Sequence, residues 1–185
     1  MNPLIDKKIF EKNIRAVIGK NFKLAEKLQK INLCDTELIK SKTNMPVLKY
    51  KGKFLNSVYD PEKEAKMRVS KQEEIKNAHV VFSMGFGMGY EIKEIINSTS
   101  KKTRIVIIIL DLELFMTVIS CVDVFDILAN DKLIFIDGTR NDFKSYFHDY
   151  ITDLLIFHSV RMTYFLHPVI TSSDEEITER TKKLH

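Results

Sequence analysis

The feature that most constrains the fold is a regular alternation, from Ala78 onward, of short apolar runs and segments of helical length. The run Ile105–Leu110 is apolar at every position, as expected of a strand covered on both faces of its sheet. The four runs are Val80–Met84, Ile105–Leu110, Leu133–Ile136 and Met162–Leu166. Helices are predicted between them over Tyr90–Asn97, Leu112–Asn130 (with a break near Asp123) and Asp142–Phe157. This alternation predicts βαβ units in a parallel, doubly wound, Rossmann-like α/β sheet, which we assign to residues 78–170.

Residues 1–77 predict an α+β appendage to that sheet, made of a helix, a β-hairpin and a second helix. The predicted elements are a helix over Asp6–Lys30, strands Pro46–Tyr50 and Lys53–Leu55, and a helix from Pro61 toward Asn77. Asp60 before Pro61 is typical of a helix start, because aspartate caps and proline has a preset φ. No linker rich in Gly, Ser or Pro follows, so we expect the two parts to pack together.

Residues 171–185 predict the start of another helix, because Ser172 and Glu175 have capping-box spacing. The predicted helix is highly charged and the sequence stops at His185. We expect it to lead into a downstream domain; the alternative is a frayed terminal helix.

Composition indicates a globular protein without membrane or nucleic-acid partners. With 44% hydrophobic and 29% charged residues, no apolar run approaches the roughly 20 residues that span a bilayer. The N-terminus lacks a secretory signal pattern, which predicts a cytoplasmic location. Lysines are scattered at a net charge of +4 and form no basic stripe with interleaved aromatic residues. Cys34, Cys121 and the five histidines lack metal-ligand spacing, so reduced thiols and no metal are expected.

A glycine-rich turn, Gly85-Phe86-Gly87-Met88-Gly89, joins the first predicted strand to the next helix. Gly85, Gly87 and Gly89 permit positive φ and let a ligand approach the backbone. The helix that begins at Tyr90 would direct free N–H groups at an anion or at ribose hydroxyls. The G-x-G-x-G spacing is nearer to methyltransferase-like domains than to the dinucleotide motif. Tyr90 replaces the third glycine of that motif, which counts against NAD or FAD.

Acidic residues follow the next two predicted strands. Asp111, or Glu113 beside it, is placed to bind ribose hydroxyls, and Asp137 is placed beside a base such as adenine. The cofactor predicted here is a nucleotide-like ligand of unknown identity. The alternative is that the glycines merely allow a tight turn and that Asp111 and Asp137 cap helices. No nucleophile elbow, P-loop lysine or His-Glu-x-x-His is present, and His158 and His167 are interpreted as hydrogen-bonded structural histidines, so no catalytic residue is assigned.

Four segments together resemble the N-terminal domain of the motility-associated factor (Maf) glycosyltransferases. They are Asn56–Ala65, Gly85–Glu91, Asp111–Phe115 and Asp126–Leu128, and the resemblance spans most of residues 46–138. It implies a bacterial protein linked to flagellin glycosylation, in which nonulosonic acids are transferred to Ser or Thr. The resemblance also implies that the sugar-nucleotide site lies in a central domain that follows this one. Ile109 stands where family members often place glutamate, which weakens the case for ribose binding.

Two functions are therefore predicted. The leading one is an accessory domain of a flagellin-modifying glycosyltransferase that acts in acceptor recognition or scaffolding, with flagellin and the downstream catalytic domain as partners. The alternative is a nucleotide-binding domain like that of S-adenosylmethionine-dependent methyltransferases. The resemblance extends more loosely to a hydroxymethylpterin diphosphokinase-like group.

Overall fold

Two β-sheets and nine helices make up the part of the chain that the computed structural model describes, residues 5–157 and 160–172 without the side chains of 154–157. The helices are α1 Lys7–Lys20, α2 Phe22–Leu28, α3 Pro61–Ser70, α4 Glu74–Asn77, α5 Tyr90–Ser98, α6 Leu112–Cys121, α7 Phe125–Leu128, α8 Phe143–Phe157 and α9 Pro168–Thr171. The strands are β1 Thr36–Lys40, β2 Pro46–Tyr50, β3 Lys53–Phe54, β4 Val80–Met84, β5 Arg104–Ile109, β6 Leu133–Asp137 and β7 Met162–Leu166. No helix within these ranges is long and apolar enough to cross a membrane.

The larger sheet is parallel throughout, in the order β6-β5-β4-β7. Its strands are the four apolar runs of the sequence, and the crossover from β6 to β7 through α8 reverses the direction of winding. The predicted Rossmann-like α/β fold is confirmed. The carboxyl ends of β4 and β5 place the glycine turn beside the residues after Ile109, where ligands of open α/β sheets bind.

Both faces of the parallel sheet are buried. Ile105, Ile107 and Ile109 of β5 join a large core that includes side chains of α1, α2, α5 and α6. Val106 and Ile108 point the other way, into a smaller core beneath α8. Burial of each such side chain stabilises the fold by about 1.5–3 kcal/mol. The uninterrupted apolar run thus follows from a strand that has no solvent-facing side.

The predicted single helix over 6–30 is wrong, because it divides into α1 and α2 at Asn21. The Asn21 side chain accepts a hydrogen bond from the amide of Leu24 at 3.0 Å and so caps α2. Its Nδ2 donates to the carbonyl of Phe135 on β6 at 3.0 Å. An asparagine that bonds nearby backbone groups competes with a continuous helix. The break lets α2 turn back along the edge of the sheet.

The predicted β2–β3 hairpin is confirmed, and β1 is an additional strand that pairs with β2. Lys51 and Gly52 both have positive φ, 47° and 77°, as a two-residue hairpin turn requires. The large core contains Leu48 of this hairpin together with Ile107 of the parallel sheet. The hairpin and the parallel sheet therefore contribute side chains to the same core.

The predicted break in the segment 112–130 is confirmed, since α6 ends at Cys121 and α7 begins at Phe125. Asn13 of α1 fills the break: its Nδ2 donates to the carbonyls of Ile119 and Val122, and its Oδ1 accepts from the amide of Val124. The segment 61–77 also divides, into α3 and α4. Apart from Thr171 and Ser172, the predicted helix over 171–185 lies outside the described residues.

Candidate functional site

The glycine turn has the predicted strand–turn–helix context. Gly85, Gly87 and Gly89 adopt φ values of 92°, 60° and 86°, a region that other residues rarely enter. Gly89 is the N-cap of α5 and supplies no side-chain hydrogen bond. The first N–H groups of α5 consequently have no partner within the helix. A ligand could use them only if it reached the turn.

A protein segment, α9 with its N-cap His167, occupies the space beside the turn. A Cβ on Gly85 would stand 2.7 Å from Cδ1 of Ile170, and one on Gly87 would stand 2.6 Å from the His167 ring. Contacts that close mean that a side chain at either position would have to displace Ile170 or His167. The glycines therefore allow α9 to approach the backbone of the turn. From the sequence, a ligand was expected in this place.

The cleft between the turn and the end of β5 is almost filled. Its volume is about 10 Å³, and a single water molecule needs about 10–15 Å³. Its lining consists of Gly85, Phe86, Gly87, Ile109, Leu110, Asp111, Leu114, Phe115 and Ile170. The rings of Phe86 and Phe115 pack edge to face with centroids 5.3 Å apart. In this arrangement the cleft holds no nucleotide.

Asp111 is a helix cap, which confirms the alternative considered for this residue. Its Oδ1 accepts the amide of Leu114 at 2.9 Å, and its Oδ2 accepts a hydrogen bond from the hydroxyl of Tyr50 on β2. Glu113, two residues after Asp111 and in the first turn of the same helix, is exposed. Both oxygens of Asp111 are thus used within the protein, and one of them fastens the hairpin to the parallel sheet.

Asp137 and Tyr90 also bond to the N-terminal part of the chain. Lys27 of α2 donates to Oδ2 of Asp137 at 2.7 Å, and Thr139 donates to Oδ1 through its amide and its hydroxyl. Asp137 therefore shapes a turn, and the expectation that it caps a helix is wrong. Burial raises the pKa of Asp137, but the hydrogen bonds from Lys27 and Thr139 outweigh burial and lower it. The Tyr90 hydroxyl donates to the carbonyl of Pro46 at 2.8 Å.

A polar cluster lies behind the turn and was not found from the sequence; it consists of the buried residues Asn56, Glu91 and His167 and the partly exposed Arg68. Arg68 and Asn56 donate to Oε1 of Glu91 at 2.6 and 2.8 Å. His167 Nε2 lies 3.8 Å from Glu91 Oε2, and both side chains are 1% exposed. Among the described residues neither of those two atoms has a hydrogen-bond partner. An acid in the first turn of a helix is ordinarily a solvent-exposed partner of the helix dipole, so nothing in the local sequence marks Glu91 as buried.

The remaining candidate groups are dispersed. Cys34 and Cys121 are free thiols whose pKa is raised by burial, that of Cys121 to about 12. No group of three or more His, Cys, Asp or Glu side chains within the described ranges could hold a metal ion. His158 lies outside those ranges, and His167 makes the hydrogen bond expected of a structural histidine, by accepting from the amide of Ile170 at 3.5 Å.

Comparison with known proteins gives a likeness in structure. No protein-family model and no curated protein matches the sequence. The fold is similar to the structure of the MAf glycosyltransferase from Magnetospirillum magneticum AMB-1, with a TM-score of 0.65 at 11% sequence identity. The match covers 97% of this chain and 34% of that protein, so the chain spans about a third of the length of the protein it resembles. At this identity the likeness establishes a shared fold: the chain is folded like a part of a Maf glycosyltransferase.

Proposed function

We propose that this chain is an accessory domain of a Maf-type glycosyltransferase, where it recognises the acceptor protein or positions a separate catalytic domain. The observation that carries the proposal is the fold likeness, which extends over 97% of this chain and only 34% of the glycosyltransferase. A module that corresponds to a third of an enzyme is expected to serve the remainder of it. Flagellin as the acceptor, and a downstream catalytic domain as the partner, belong to this proposal.

The chemistry of the carboxyl edge supports a role without catalysis. Asp111, Asp137 and Tyr90, the residues that could have held a nucleotide, bind Tyr50, Lys27 and Pro46 of the N-terminal part. Hydrogen bonds to charged groups are each worth about 1.5–3 kcal/mol, so a ligand would have to replace them. The edge of the sheet that binds ligands in related folds serves here to assemble the domain.

A nucleotide-binding function is the second candidate. The three glycines at positive φ and the uncapped N-terminus of α5 favour it, because they form the backbone of a phosphate or ribose site. The side chain of Ile170 blocks access to that site, since it lies against Gly85. Substitution of Ile170 therefore separates the two functions.

Thermal unfolding with CMP and with S-adenosylmethionine tests this directly. A ligand at 100 times its Kd stabilises the folded state by about 2.7 kcal/mol. We expect neither compound to raise the melting temperature of the wild type or of Ile170→Ala. Ile14→Ala, another buried isoleucine truncation remote from the turn, is the control for loss of packing. Stabilisation of the wild type or selectively of Ile170→Ala would support the nucleotide-binding function.

Acceptor recognition is tested by the binding of purified flagellin monomer to the immobilised chain. The chain has a pI near 8.9, so a nonspecific attraction to acidic proteins must be distinguished. We therefore compare salt concentrations of about 0.15 and 0.5 M, since exposed charges are screened within about 8 Å at the lower one. Binding that survives the higher concentration supports acceptor recognition. Absence of binding at both concentrations leaves only the scaffolding role.

A further inference from the structure

We propose that α9 is a pH-sensitive latch, held on the glycine turn while His167 is neutral and released when His167 takes up a proton from solvent. The latch is the segment from His167 to Thr171. Its release would uncover the backbone of Gly85 and Gly87. The inference does not depend on the proposed glycosyltransferase function.

Two side chains of the latch lie directly against the glycine turn. Ile170, 2% exposed, lies against Gly85, and the His167 ring lies against Gly87. The His167 amide donates to the carbonyl of Met84 at 3.4 Å. A helix of four residues has little stability of its own. Among the contacts of the described residues, these and the N-cap, which is also His167, hold α9 against the turn.

One long hydrogen bond indicates which ring nitrogen of neutral His167 carries the proton. Nδ1 accepts from the amide of Ile170, which requires a lone pair on Nδ1 and places the proton of the neutral ring on Nε2. Nε2 faces Oε2 of Glu91 at 3.8 Å, too far for a hydrogen bond. Burial lowers the pKa of His167, Glu91 raises it and Arg68 lowers it, with burial the strongest influence.

A second proton would enter at Nδ1. An imidazolium has two donors and no acceptor, so the hydrogen bond from the Ile170 amide would be lost. The charge would also be created in a side chain that is 1% exposed, where burial without a matched partner is costly. Movement of His167 toward water relieves both penalties, and Ile170 moves with it because the two residues share one turn of α9.

Among the described residues, the charged groups that face His167 do not compensate for this cost. Glu91 of α5 is the acid that faces it, and its Oε1 already accepts from Arg68 of α3 and from Asn56. Arg68 is itself positive and is shared with Glu64 at 2.7 Å. The glycine turn contains no titratable side chain, and Pro168–Thr171 contains none either. The uncapped N-terminus of α5 adds partial positive charge beside the ring.

Nuclear magnetic resonance of the whole chain between pH 8 and pH 5 tests the latch. The imidazole resonances of His167 report its protonation, and amide exchange at Ile170 and Thr171 reports the release of α9. We expect one transition below pH 6.5 in which His167 is protonated, the two amides lose at least tenfold of their protection, and the amides of Gly85 and Gly87 shift.

Three variants test whether protonation of His167 causes the release of α9. His167→Asn keeps an N-capping acceptor but does not titrate, so its α9 amides should stay protected throughout. Glu91→Gln removes the nearby negative charge and should move the transition to lower pH. His148→Asn replaces an exposed histidine on α8 and should leave the transition unchanged.

Protonation of His167 without any loss of protection at Ile170 and Thr171 would overturn the proposal. The same pH dependence in His167→Asn as in the wild type would also overturn it. If His167→Asn or Glu91→Gln does not fold, the wild type still decides the question. In the wild type, protonation of His167 and loss of amide protection in α9 must occur at the same pH.

Discussion

Single residues in the glycine turn are constrained twice, by the backbone and by the neighbouring segment. Gly87 has a φ of 60°, which costs other residues about 1–2 kcal/mol. A side chain there would also collide with the His167 ring, 2.6 Å from the position of a Cβ. Gly19 of α1 differs in both respects, since its φ is not positive and no atom lies within 4 Å of its Cβ position. The two glycines form a matched pair.

We expect Gly87→Ala to lower the free energy of unfolding by at least about 2 kcal/mol, because the left-handed conformation and the clash both oppose it. Gly19→Ala should raise that free energy by about 0.5–1 kcal/mol, because alanine favours the helix interior. Urea unfolding monitored by circular dichroism measures both changes. A Gly87→Ala variant as stable as the wild type would show that α9 does not press on the turn.

Asp137 gives a pH dependence whose sign follows from its hydrogen bonds. Its folded-state pKa is lowered below the ordinary aspartate value of 3.8, so its stabilising effect is present above that value and is lost as the pH falls through the folded pKa. We expect Asp137→Asn to be less stable than the wild type at pH 6, with a difference that shrinks below about pH 4. Lys27→Met, which removes the cation, should reduce the same pH-dependent difference. A difference that is constant from pH 6 to pH 3 would contradict this assignment.

The sequence predicted where the residues around the glycine turn lie, but it did not predict which groups they bind. Asp111 and Asp137 stand at the ends of β5 and β6, as the sequence analysis expected. Their partners, Tyr50 and Lys27, lie 61 and 110 residues away in the chain. A local pattern contains no information about such distant partners. For the same reason the buried contact between Glu91 and His167 could not be anticipated.

Among the secondary-structure elements, asparagine side chains stabilise two of the helix breaks. Asn21 separates α1 from α2, and Asn13 bonds the backbone between α6 and α7. Apolar spacing continues across Asn21, so it predicts a single longer helix there. The strands were predicted more accurately, because burial on both faces leaves a distinct apolar run. Strand β1 was missed because the charged residues Glu37 and Lys40 leave only two adjacent apolar residues among its five.

We expect Asn21→Ala to lower the free energy of unfolding by about 1–3 kcal/mol. It removes the N-cap of α2, worth about 1 kcal/mol, and it leaves the Phe135 carbonyl without the amide donor of Asn21. Asn97→Ala, at an exposed position of α5, is the control and should change the stability by less than about 0.5 kcal/mol. Equal effects of the two substitutions in urea unfolding would exclude a structural role for the break.

At the scale of the whole molecule, one apolar core joins the two parts of the sequence. Leu28 and Leu48 from the first 77 residues are fully buried in the same cluster as Ile107 and Phe115 of the Rossmann-like part. The hydrogen bonds of Asp111 and Asp137 also connect these parts. The division at residue 77 remains a prediction from the sequence, and a shared core makes independent folding of the two parts unfavourable.

We therefore expect a single cooperative unfolding transition. Leu48→Ala and Ile107→Ala truncate buried side chains, one in each part, and should each cost about 2–5 kcal/mol. Both variants should lower the midpoint of the same transition, with coincident curves from far-ultraviolet circular dichroism and tyrosine fluorescence. Lys23→Ala, at an exposed position of α2, is the control and should leave the midpoint of the transition unchanged. Two separate transitions, with each variant shifting only one of them, would show that the N-terminal part folds as an independent domain and that the shared core contributes little to stability.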